Sequence, residues 1–118
     1  VIVDGANVVG ARPDGWWRDR KAAATRLRDH LAAQEGVVGG VPGRVVLVLE
    51  GAARGVPPVD GCAVVDAPGD GDDAIVLEAL AAETPVTVVT ADRALRRRVE
   101  AHGAAVLGPS AVWGSGGR

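Results

Sequence analysis

Val1-Ile2-Val3-Asp4-Gly5-Ala6-Asn7 opens the chain: a short apolar run that ends in a carboxylate and a glycine, with an amide three residues after the carboxylate. The run does not alternate, so it reads as a strand buried on both faces, as strands of parallel sheets are. Ligands gather beyond the carboxyl ends of strands in such sheets, which assigns Asp4 to the functional edge.

Working outward, residues 44–49 (RVVLVL) repeat the layout, an apolar run closing in Glu50-Gly51. Shorter strands are predicted at 62–66, 85–90 (PVTVVT, closed by Ala91-Asp92) and 104–107. Between them, helical spacing appears three times. Ala23, Leu27 and Leu31 mark a helix over 22–33. The i,i+4 pairs Ile75/Ala79 and Val76/Leu80 mark one that starts near Asp72 and runs to 83. Leu95, Val99 and His102 line one side of a helix over 93–102, capped by Gly103. Residues 5–15 and 36–43, rich in glycine and without a sustained period, read as loops. The order β-α-β-β-α-β-α-β predicts a three-layer α/β/α sandwich around a mostly parallel five-stranded sheet. One domain over 1–113 is expected, followed by a loose Gly/Ser-rich tail over 114–118. The start at Val1, without methionine and directly inside a strand, is expected of a domain cut from a longer chain.

At 118 residues and 47% apolar content, the chain is long enough to bury roughly two-thirds of its unfolded surface. No apolar run approaches the ~18 residues of a membrane span, so no membrane partner is expected. A single cysteine, Cys62, sits in an apolar run and has no internal partner, which suits a reducing compartment and leads us to expect the cytoplasm. Arginine supplies 12 of the 13 basic residues. Setting aside Asp4, Glu50, Asp70, Asp72, Asp73 and Asp92 leaves thirteen basic residues against nine acids, a balance of +4. An acidic pocket in an otherwise basic domain follows.

Asp4, Glu50 and Asp92 end strands, and Asp72 and Asp73 begin a helix at the same edge. Carboxylates brought this close repel unless cations neutralise them, and hard divalent cations take oxygen ligands. This points to Mg²⁺ or Mn²⁺ held by Asp4, Asp72, Asp73, Asp92 and Glu50. Such an ion polarises a phosphoryl oxygen and activates water, which is the chemistry of phosphodiester hydrolysis. Asn7 is placed to orient a carboxylate or a water, and Thr90 to hold phosphate oxygens. Arg12, Trp16, Trp17, Arg18 and Arg20 combine charge with rings for base stacking, and Arg93, Arg96 and Arg97 follow Asp92 within reach of phosphates.

Each feature also has a structural reading. Asp70, Asp72 and Asp92 suit helix N-caps, and Asn7 suits an Asx-turn. The two tryptophans suit a lid on the core, and the arginines a solvated helix face. His30 and His102 lack metal-ligand partners and read as structural, as does Cys62.

Taken together, VDGANVV at 3–9, the strand closing in Leu49-Glu50-Gly51, GDGDDAIV at 69–76 and VVTADRALRRRVEAHGA at 88–104 resemble the PIN-like ribonuclease domains of the NYN family, closest to its YacP-like branch. The motifs span nearly the whole chain in the right order. The resemblance implies a sheet with the first strand central. It also implies a divalent-metal-dependent endoribonuclease with catalytic positions at Asp4, Asn7, Asp72 and Asp92, acting on single-stranded or looped RNA, with ribosome association expected. Asp72 is chosen within its cluster because Ile75 follows at the motif's spacing. Glu50 stands where many such proteins carry aspartate.

Two other functions fit the same residues: a non-catalytic RNA-binding module, and a metal-dependent phosphohydrolase of small nucleotides. A haloacid-dehalogenase-like phosphatase is excluded because no second aspartate follows Asp4 by two residues and Lys21 is the only lysine. A dinucleotide-binding unit would need GxGxxG where Gly5-Ala6-Asn7-Val8-Val9-Gly10 stands. Oligomeric state is left open.

Overall fold

The apolar runs form five parallel strands: β1 (Ile2–Asp4), β4 (Val46–Leu49), β5 (Ala63–Asp66), β6 (Thr87–Val89) and β7 (Ala105–Leu107). Their order across the sheet is β5-β4-β1-β6-β7, with β1 in the centre, and the computed structural model describes residues 1–12 and 15–114. In register, Asp4 lies beside Val48, and Ile2 beside Val88.

Alternation along each strand divides the core into two layers. Val3, Leu47, Leu49 and Val89 face one side, under α1 (Gly5–Gly10), α2 (Arg20–Ala32) and a short α5 (Ser110–Trp113). Ile2, Val46, Val48 and Val88 face the other, under α3 (Gly71–Ala81) and α4 (Arg93–Glu100). This is the expected α/β/α sandwich. None of the helices among the described residues is long and apolar enough to cross a membrane. Cys62 is buried, as an apolar residue would be.

The structure corrects the reading at several points. Residues 5–10 form α1, which sequence reading took for loop. Its flanking glycines and β-branched Val8-Val9 are poor helix formers, but Asp4 caps it and Val8 is fully buried. Residues 36–43 hold a two-stranded hairpin, β2 (Val37–Val38) and β3 (Val41–Pro42). Its two-residue turn puts Gly39 and Gly40 at φ 57° and 81°, the doubly left-handed turn that glycine permits without strain. α5 was not expected at all. His102 falls beyond the end of α4 and is exposed, so only Leu95 and Val99 form its buried stripe. Beyond Gly114, the expected tail lies outside the described residues.

Gly5 is where α1 leaves the sheet, and a side chain there has no room. A Cβ would sit 2.6 Å from the Val48 carbonyl oxygen and 2.8 Å from Leu49 Cδ2. Gly69, by contrast, has nothing within 4 Å of such an atom. Gly5→Ala is therefore expected to lower unfolding free energy by about 1–3 kcal/mol, the usual cost of overpacking, and Gly69→Ala to change it by no more than about 0.5 kcal/mol. Urea denaturation of the two variants checks the contrast; equal midpoints would contradict the close packing of α1 on β4.

Candidate functional site

The edge beyond the carboxyl ends of β1, β4 and β6 is built on one buried carboxylate. Asp4 is only 6% exposed. Its Oδ2 accepts from the Thr90 hydroxyl at 2.8 Å, and its Oδ1 accepts from the Asn7 N–H at 3.4 Å as the cap of α1. Thr90, itself fully buried, accepts in turn from the Asp92 N–H at 3.1 Å. Asn7 Oδ1 accepts from the Ala91 N–H at 2.8 Å, tying α1 to the turn after β6. The ends of β1 and β6 are thus locked together by bonds between residues 86 and 84 positions apart.

Around Asp4 stand Glu50, Asp72 and Asp92, each on its own element, with Asp70 next to Asp72. Glu50, at the end of β4, accepts from the Gly71 N–H at 2.8 Å. Gly71 permits that approach, since a Cβ there would lie 3.1 Å from the Glu50 carboxyl carbon. Asp92 caps α4 by accepting from the Leu95 N–H at 3.0 Å, and Asp70 caps α3 by accepting from the Asp72 N–H at 2.8 Å. Asp72 caps nothing: among the described residues its carboxylate has no hydrogen-bond partner.

The electrostatics reflect this crowding. Burial pushes the Asp4 carboxyl up from its ordinary value; the bonds from Thr90 and Asn7 oppose the shift, and repulsion from Glu50 and Asp92 adds to it. Asp72 is pushed up to about 6, chiefly by partial burial and then by repulsion from Asp70, Asp92, Asp4 and Glu50. Asp4, Glu50, Asp72 and Asp92 therefore feel one another's charge. Asp73 does not join them: it points outward and pairs with Arg98 at 2.9 Å.

The donor chemistry is all oxygen, as a hard divalent cation requires, and several carboxylate oxygens keep unused lone pairs. Among the described residues no group of three His, Cys, Asp or Glu side chains forms a ready-made metal-binding set. A hard cation that keeps part of its own water, as Mg²⁺ does, is the kind that suits such an open ring.

Beside the ring lies a cleft of about 340 Å³, walled by Glu50, Trp16 and Arg20 and floored by Gly5, Val9 and Leu49. Trp16 also borders an open groove over Asn7 and Ala91, so its ring stands between the two. Arg20 lies over the Trp16 ring at 5.3 Å and Arg18 over Trp17 at 5.9 Å, and Trp17 is 53% exposed. Arg93, Arg96 and Arg97 are exposed on α4.

Sequence reading thus brought together Asp4, Glu50, Asp72, Asp92 and Asn7, with Trp16 and Arg20 alongside. Thr90 needs correction. Its hydroxyl is buried and committed to Asp4 and the Asp92 N–H, so it positions the carboxylate and presents nothing to a phosphate. Arg12, just past the C-terminal end of α1, lies instead over Trp113 at 4.5 Å. Trp113 escaped notice because α5 carries only four residues and no readable period.

No family model matches the chain, and no curated protein matches it. Two solved structures of Rae1 (YacP) from Bacillus subtilis, one of the native protein and one of a tryptophan-to-leucine mutant, are similar to it with TM-scores of 0.74 and 0.72. Identity is 23% in both cases, over 95% of this chain and 70% of that one. At this identity the likeness is one of fold, and the chain has the fold of YacP.

The raised Asp72 pKa has a definite sign. The folded state holds that proton more tightly than the unfolded chain, so the contribution to stability is full below the ordinary 3.8 and is lost as pH rises toward about 6. Without metal at pH 7, Asp72→Asn should melt higher than the native chain by about 2–6 °C, with the gap closing as pH falls from 6 to 4. Melting curves across that range check it; a variant that melts lower at pH 7 would give Asp72 a structural task.

Proposed function

We propose that this chain is a PIN-like nuclease domain of the NYN type that hydrolyses RNA phosphodiester bonds with Mg²⁺ or Mn²⁺. The observation that carries the reading is Asp72. A partly buried carboxylate that caps nothing, bonds to nothing among the described residues and is repelled by four neighbours destabilises the fold. Such a group is retained for a ligand, and a cation is the ligand that relieves it.

In this reading Asp4, Asp72 and Asp92 hold the ion, with Glu50 at the margin of the ring. When bound, the ion supplies a Lewis acid for a phosphoryl oxygen and an acidified water. The chain's own residues do the rest. Thr90 and the Asn7 N–H hold the Asp4 carboxylate at a fixed angle, and the Asn7 side-chain NH₂, left free by the bond from Ala91, orients a water or a phosphate oxygen. Trp16 offers a ring face to an unpaired base, and Arg93, Arg96 and Arg97 attract the flanking phosphates. Asp73, committed to Arg98, stands outside this set.

RNA as the substrate, in single strands or loops, rests on the motif resemblance, as does association with the ribosome in the cytoplasm. The lack of a ready-made three-ligand set favours one rival, a module that binds RNA without cutting it.

The test is a panel of labelled RNA, DNA and nucleoside triphosphates incubated with Mg²⁺, Mn²⁺ or chelator. RNA alone should be cleaved, only with metal, with Asp72→Asn and Asp4→Asn each slower by at least ~100-fold, the scale of losing a charge-stabilising group. RNA bound but uncut under every metal condition would establish the binding module. Turnover of triphosphates alone would move the chain to the small-nucleotide hydrolases.

A further inference from the structure

At the C-terminal end of α1, opposite the end that Asp4 caps, is a second cavity of about 250 Å³, lined by Val9, Arg12, Ala23, Arg26, His30 and Trp113. Among the described residues no acid lines it, although acids outnumber bases in the chain as a whole. Arg12 follows α1 and Arg26 lies on α2, so two segments each contribute an arginine to the lining of one hollow. Among the described residues neither group makes an ion pair or a hydrogen bond through its side chain.

The wall is fixed. The Trp113 indole N–H donates to the Val8 carbonyl at 2.9 Å, pinning the ring against α1. The Arg12 guanidinium lies on that ring at 4.5 Å, so its position is partly set before any ligand arrives. His30 packs on the other side of Trp113, with centroids 4.8 Å apart. Its Nε2 is 2.8 Å from the Val112 carbonyl oxygen, which can only accept, so Nε2 carries a proton and Nδ1 is the ring's remaining polar atom. His30 reads as structural from its sequence position, and its bond to Val112 agrees with that, but the ring also forms part of this lining.

We propose that this cavity binds a phosphate group. An arginine guanidinium donates paired N–H bonds to a tetrahedral anion, and among the described residues no carboxylate lines the cavity to compete for Arg12 and Arg26. The volume exceeds that of a phosphate group, so the group can be part of a larger molecule. Val9 lines both this cavity and the cleft beside Glu50, which makes the two hollows neighbours along the seam between α1 and α2.

The proposal is independent of the nuclease reading, because binding is measured without metal and without turnover. In an NMR titration of the ¹⁵N-labelled chain with inorganic phosphate, the Trp113 indole N–H signal should shift saturably. Arg26→Gln should weaken that response at least tenfold, while Arg44→Gln, an exposed arginine at the start of the second core strand run, should leave it unchanged. A Trp113 signal that does not move, or one equally weakened by both substitutions, would overturn the proposal. Short oligoribonucleotides with and without a 5′-phosphate then separate the sources. Tenfold tighter binding of the phosphorylated form with the same Trp113 shift identifies a monoester terminus, and equal shifts from both identify the backbone diester.

Discussion

The Thr90 hydroxyl that donates to Asp4 is the bond on which the site depends. A carboxylate at the end of a central strand is deprived of water on most sides, and burial alone would drive it toward its neutral form. Two donors hold it instead, one from the neighbouring strand's end and one from the first turn of α1. Because Thr90 also accepts from the Asp92 N–H, the same hydroxyl sets the start of α4. Three elements are thereby referred to one side chain. The remaining carboxylates are carried by Glu50 and by the first turns of α3 and α4.

Those helix starts offset some of the repulsion. The N-terminal ends of α3 and α4 carry partial positive charge from unsatisfied N–H groups, and Asp70, Asp72 and Asp92 all lie within that field. Two of the three spend their charge as caps. Asp72 receives the field without forming a cap bond, which leaves its oxygens open and its proton affinity high. The arrangement tolerates a cluster of negative charge that bare Coulomb repulsion would disperse, while leaving one member unsatisfied.

Most of the sandwich was legible because the buried strands are continuous apolar runs and α2, α3 and α4 have clear spacing. Their ends shifted by only a few residues. What escaped was short: α1, the β2–β3 hairpin and α5 are each too brief for a period to show. α1 depends on its cap and on the burial of Val8 among residues far away in sequence, and the hairpin on two glycines with positive φ, which no hydrophobic pattern shows. The carboxylates at strand ends were readable because a strand's end is visible in sequence. The motif spacing singled out Asp72, but that Asp73 turns outward was not legible, since it depends on the helix phase at Gly71 and on the pull of Arg98. Thr90 was misread for a related reason: a threonine at a strand end looks available until the packing around it is known.

The bond between Asp4 and Thr90 joins residues 86 positions apart, and β1 takes its two neighbours from β4 and β6, both far along the chain. Contacts of such separation form late, because the loop they close must first be ordered. During synthesis the first strand leaves the ribosome long before its partners exist. The carboxylate ring therefore has no partial version: until the segment through Asp92 has been made and docked, Asp4 has neither its hydroxyl donor nor its charged neighbours. Whatever this edge acts on meets it only as a finished surface, so completion of the fold serves as the licence for its chemistry.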